Sequence, residues 1–277
     1  MAAGSGADML RFGVILTALL ALSAEAWAQQ APPPDRPGDA YELNLRIRTE
    51  SQSTNGSSGK SNSGGALIER VVALHPDGLE LEFDLPPDTT PEERAREWQW
   101  PARVLWSENA PPRLLNGAEM EQRLDVWLKA GEIPREACGR WFFSWTAFKI
   151  ECDPNAVLET LKVYDLRSGA GPADPAGEPV VIETDVDPEE VRREKAEADV
   201  VVAEITGGEP LTFEQALAAR ASDQISGIET LVREVDSHSR PIQQVRTIRL
   251  EITTADGIVE QSTSTQTLTR TPVQAPH

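Results

Sequence analysis

Apolar and polar residues alternate with a period of two near both ends of this chain. Tyr41, Leu43, Leu45 and Ile47 alternate with Glu42, Asn44, Arg46 and Arg48, and Leu79, Leu81, Phe83 and Leu85 alternate with Glu80, Glu82 and Asp84. Successive side chains of a pleated strand point to opposite faces, so each run predicts a half-buried strand. Residues 67–74 predict a strand between them, and Pro76-Asp77-Gly78 a turn. Together they make an antiparallel meander with one wet face, on which Arg46 and Arg48 can pair with acids across strands. Three more strands are predicted over 225–235, 242–253 and 258–268, the last two joined by Asp256-Gly257. The Ser-, Gly- and Asn-rich stretch 51–65 predicts a long mobile loop.

Between these groups the pattern is helical. Thr90, Pro91 and Glu93 form a capping-box signature for a helix that Pro101 ends. A short strand is expected at 104–106. Asn116 caps a helix with Leu124, Trp127 and Leu128 on its apolar side, and Asp153-Pro154 opens another through Val157, Leu158 and Leu161. Asp187-Pro188 starts a charged helix reaching about Glu204, and 212–220 reads as one more. The predicted fold class is α+β. Antiparallel β-meanders at both ends of the mature chain form a curved sheet, packed against a helical, Trp-rich middle section. Whether the two strand groups share one sheet stays open, because the repeated Asp-Gly turn (Asp77-Gly78, Asp256-Gly257) is equally explained by common hairpin grammar.

The first 28 residues read as a secretory signal peptide. Arg11 gives the positive start, an uncharged apolar run follows, and Ala26-Trp27-Ala28 is a small-x-small cleavage site. The apolar run of about ten residues is half of what a spanning helix needs. Gln29 stands where a lipid-modified cysteine would. Domains are therefore drawn as 1–28 signal peptide, 29–39 disordered Pro-rich tether, 40–167 N-terminal α+β part and 168–179 Pro/Gly linker. They continue with 180–270, a C-terminal helix plus three-stranded meander, and 271–277, a disordered tail. High Ala, Pro and Arg with five Lys fit a bacterial chain, and export then means the periplasm.

The chain has 45 acidic and 26 basic residues, a net charge of −19. Phosphate backbones and anionic lipid surfaces repel such a chain, so nucleic acid is not expected as a partner. The two cysteines, Cys138 and Cys152, predict a disulfide in an oxidising compartment. A straight helix would hold them about 21 Å apart, and a disulfide spans at most about 7 Å. The chain must therefore reverse near Trp145, as a hairpin of 140–143 and 148–151.

All six tryptophans of the mature chain lie between Trp98 and Trp145. Trp98, Trp100, Trp141 and Trp145 are the candidate binding residues, as the lining of an aromatic groove; packing in a core is the competing reading. Trp98 and Trp100, around a helix end, are expected partly exposed. No catalytic residues, metal site or cofactor are assigned. Gly59-Lys60-Ser61 imitates a phosphate loop, but Thr54 stands where Gly is required. Asp185, Asp187 and Glu189 imitate a calcium loop, but Glu190 and Ala196 break it. In outline, alternating strands flanking helices resemble the half-barrel carriers of bacterial envelopes, and such analogy does not license a function. The expected class is a secreted, periplasmic, non-enzymatic envelope protein that binds a protein partner or an apolar ligand. A metal-free carboxylate-based hydrolase of envelope polymers and a passive structural protein are the alternatives.

Overall fold

Alternation along the terminal strands is used to build one antiparallel sheet from both ends of the chain. The computed structural model describes residues 35–107, 110–143, 147–167, 178–207, 209–236 and 240–273. The leader read at 1–28 and most of the linker at 168–179 lie outside them. Strands β1 (Ala40–Ser53), β2 (Ser58–His75), β3 (Gly78–Asp84), β4 (Ala102–Ser107) and β5 (Ala110–Leu114) form one half. β8 (Val180–Asp185), β9 (Gln224–Val235), β10 (Pro241–Thr253) and β11 (Val259–Pro272) form the other. The strand order is β5-β4-β3-β2-β1-β11-β10-β9-β8. β1 pairs with β11 over its whole length, with Leu43 opposite Arg270 and Leu45 opposite Leu268.

Residues directly opposite share a face. Leu43, Leu67, Val71, Leu81, Phe83, Val104 and Leu268 thus fall on one side. Helix α2 (Gly117–Ala130) lays Met120, Leu124 and Leu128, one turn apart each, onto this side. Helix α3 (Ala156–Lys162) adds Val157 and Leu161. Full burial of each such side chain stabilises by about 1.5–3 kcal/mol. Helix α4 (Pro188–Thr206) lies on the same face over the second half, where Lys195 meets Glu260 at 2.9 Å. Helix α5 (Phe213–Ala219) is tied to it by Arg220 and Asp199.

The α+β reading with a helical middle is overturned. The chain is mostly strand, one nine-stranded sheet runs through it, and the middle itself contributes β4 and β5. The helix expected from Thr90 to Pro101 is a single turn, α1 (Pro91–Arg94). Its capping box forms, with Thr90 Oγ1 accepting from the Glu93 N–H at 3.2 Å and Glu93 Oε2 accepting from the Thr90 N–H at 3.0 Å. A cap nucleates a helix without prolonging it, and Trp98 and Trp100 turn into the core instead.

Residues 51–65, expected as a loop, are the paired tips of β1 and β2 around Gly56. Polar Ser and Thr there continue the ladder that β11 supports from the other side, with Ser51 opposite Ser262. Gly64 allows this pairing, since a Cβ there would lie 2.2 Å from the Leu45 carbonyl oxygen. Asp153 does not cap α3; its carboxylate accepts from the Asn155 N–H at 2.9 Å and Asn155 is the cap. Asn116 precedes α2 without a side-chain cap, because its amide bridges the Arg103 N–H (2.9 Å) and the Pro101 carbonyl (3.0 Å).

Cys138 and Cys152 are joined, with Cα atoms 5.5 Å apart. They close a hairpin of β6 (Trp141–Phe143) and β7 (Ala147–Lys149), a separate two-stranded sheet in which Phe142 and Phe148 stack. Its turn at 144–146, with Trp145, lies outside the described residues.

Candidate functional site

Of the four tryptophans proposed as an aromatic groove, three lie among the described residues, two in the main core and one on the β6–β7 hairpin. Trp98 (8% exposed) and Trp100 (7%) are buried in the main core, contrary to their expected exposure, because the chain after α1 folds inward toward Val104 and Met120. Trp141 is half-buried on the β6–β7 hairpin, where its backbone N–H donates to Glu204 of α4 at 3.3 Å. Trp145 lies outside the described residues.

Polar chemistry is gathered at two other places. On the helix-covered face, Glu69 of β2 is 1% exposed and receives Arg167 Nη2 at 2.8 Å and Arg270 Nη2 at 2.9 Å. Asp35 joins at 3.3 Å from Arg167 and 3.5 Å from Arg270, and the Tyr41 hydroxyl donates to Asp35 at 3.3 Å. Burial pushes the Glu69 carboxyl up, but the Arg167 and Arg270 guanidiniums outweigh it and hold the group at about 2. The same carboxylates push Arg167 upward against its own desolvation. Burial pushes the Tyr41 hydroxyl up. Two acids face two guanidiniums, so the cluster is internally balanced, and it locks β2, β1 and β11 to the chain after α3.

The opposite face of the sheet is open. Over β1, β11, β10 and β9 no helix covers it among the described residues, and Glu42, Arg46, Arg48, Thr263 and Arg249 on it are exposed. β11 carries Thr263, Thr265, Thr267, Thr269 and Thr271 at every second position, all on this face. One cross-strand row runs Val181, Val232, Val245, Thr267, Arg46, from β8 to β1. The row therefore passes from apolar to hydroxyl to guanidinium within five strands. Next to it Glu42, Asn44, Arg46, Thr267, Thr269 and Thr271 line a groove of about 310 Å³. Arg46 and Arg249 have no ion-pair partner among the described residues, whereas Arg48 is held by Glu50 at 2.6 Å. Toward β4 the face is closed by ion pairs. Glu80 accepts from His75 at 2.8 Å and from Arg103, and Glu82 accepts from Arg70 at 2.9 Å. The bonds from His75 and Arg103 hold the Glu80 carboxyl below the usual carboxylate range.

Sequence reasoning missed this face, although the T-x-T-x-T run over 263–271 announced it. Among the described residues no cluster of three or more metal-ligating side chains occurs, and no helix is long and apolar enough to cross a membrane.

No family model matches the sequence, and no curated protein matches it. The chain is similar to a solved structure described as lipid-protein interactions in lipovitellin, at 7% identity and a TM-score of 0.30. The likeness covers 88% of this chain and 26% of that one, so this chain spans about a quarter of its length. At that TM-score it carries no argument about function.

Proposed function

We propose that this chain is an exported, non-enzymatic binding protein of the bacterial envelope that presents the open face of its sheet to a protein partner. The observation that carries this reading is the uncovered row from Val181 through Val232, Val245 and Thr267 to Arg46. An apolar stretch that leads through a hydroxyl to an arginine with no ion-pair partner among the described residues is the composition of a docking patch, where aliphatic groups supply burial and arginine supplies orientation. Export rests on the leader at 1–28, and the periplasm on the bacterial composition.

The covered face gives an apolar ligand less to hold. Leu43, Leu81, Met120, Leu124 and Val104 are fully buried against one another between sheet and helices. The hydrolase reading also loses ground, since the lowered carboxylates are already engaged, Glu69 by Arg167 and Arg270 and Glu80 by Arg103 and His75.

The test is native mass spectrometry of the protein purified from its own periplasm. A co-purifying protein mass is expected, and Val232→Lys with Val245→Lys should lower its occupancy about tenfold, a loss of about 1.4 kcal/mol, with unchanged circular dichroism. A retained lipid or glycan mass, or full partner retention by the folded variant, overturns the reading.

A further inference from the structure

The two ends of the sheet are finished differently. β5 closes one end with Pro111 and Pro112, which offer no N–H to a further strand. β8 closes the other with Val-Val-Ile-Glu-Thr-Asp, which has no proline and strong strand preference. Among the described residues its backbone pairs on one side alone, with β9. Its side chains remain outside, with Val181 59% and Ile182 39% exposed, and Glu183, Thr184 and Asp185 exposed as well. Register places Val181, Glu183 and Asp185 on the open face, beside Val232, Thr230 and Ile228. Neither carboxylate has an ion-pair partner among the described residues.

We infer that the free edge of β8 takes an extended segment of a partner protein as an added strand, and that this segment alternates basic and apolar residues. Main-chain hydrogen bonds supply affinity in such augmentation, and alternate side chains supply selection. A strand laid along β8 brings opposed Cβ atoms to about 4.5–5.5 Å. Basic residues two apart then meet Glu183 and Asp185 on one face, and the apolar residues between them fall on the other face beside Ile182. The carboxylates also act against the wrong occupant. In a second copy of this chain, each edge would bring its own Glu183 and Asp185 toward those of its mate, between two chains of net charge −19. Like charges across paired strands destabilise. The edge is thus open to a basic strand and closed to itself. This deepens the partner-binding reading above and rests on it, adding the β8 edge that borders the open face to the docking surface.

The test uses the intact protein and the labelled peptide Lys-Val-Lys-Val-Lys-Val, with Glu-Val-Glu-Val-Glu-Val as its counterpart, read by fluorescence anisotropy. The basic peptide is expected to bind at least about tenfold more tightly. Glu183→Lys with Asp185→Lys, both exposed positions, should invert the preference. Methylating alternate peptide nitrogens should abolish binding, since a strand addition needs those N–H groups. Amide chemical shifts should move at 180–185. Equal binding of both peptides, or a preference untouched by the charge reversal, overturns the inference, as does a dimer in sedimentation that the reversal dissolves. Shifts confined to 263–271 with β8 silent would sink the edge and leave the open-face reading standing.

Discussion

Arg270 of β11 reaches Glu69 of β2 by crossing over the ring of Tyr41 on the strand between them. Its guanidinium carbon lies 3.3 Å from the ring centroid and its Nη2 lies 2.9 Å from Glu69 Oε1. One side chain thus joins three strands, and the Glu69 it bonds is 201 positions away along the chain. Cation–π contact and a charge-assisted hydrogen bond act together in a desolvated place.

Removing one member of this cluster leaves a buried charge without its mate. Glu69→Gln or Arg270→Met should destabilise the fold by about 3–5 kcal/mol, measured by urea denaturation. A double-mutant cycle should return a large coupling between the two positions. A loss under 1 kcal/mol for both single variants would contradict the picture.

The same carboxyl makes stability depend on acid. Glu69 is held at about 2, below the ordinary value of 4.5. A depressed carboxyl contributes stability that is fully present above its unfolded value and is lost as pH falls through the folded one. Melting temperature should therefore drop between about pH 4.5 and pH 2, and Glu69→Gln should flatten that slope. A variant that keeps the wild-type slope shows that another acid is responsible.

Reduction of Cys138–Cys152 should act locally. Its closed loop of about 15 residues is worth roughly 3 kcal/mol in the chain-entropy model. Hydrogen exchange should rise at Trp141 to Lys149 while β1 and β11 stay protected, since the hairpin forms its own sheet. Exchange spreading into β11 would show that the hairpin supports the main sheet.

Gly64→Val should weaken the tips of β1 and β2. A Cβ at position 64 meets the Leu45 carbonyl carbon at 3.1 Å and its oxygen at 2.2 Å. Backbone must shift to admit it, at about 1–3 kcal/mol, seen as a lower denaturation midpoint. Gly117→Ala, whose Cβ has its nearest neighbour at 3.5 Å, is the matched control and should be near neutral or stabilising.

The strands that bury one face were legible from the sequence. Tyr41, Leu43 and Leu45 alternate and are buried, while Glu42 between them and Arg46 after them are exposed. The tips of β1 and β2 were not, because Ser, Gly and Asn carry no apolar period; there, pairing with β11 supplies what propensity does not. β8 is hard to read in the short space between the linker and the Asp187 cap, though Val180-Val181-Ile182 is a β-branched run. β5 was hidden by its prolines. The candidate surface was only half readable. The threonine repeat was visible as a strand, but a sequence does not say which face a neighbour covers, and the ion cluster required partners far apart in the chain.

The pairing of β1 with β11 has a consequence for how the molecule comes into being. The earliest strand of the sheet finds one of its two neighbours in the last, so its central seam stays unsewn until β11 has been synthesised. Pairings so distant along the chain assemble slowly. Until that seam closes, β1 has β2 as its single strand partner, and each half of the sheet carries an open edge at the centre.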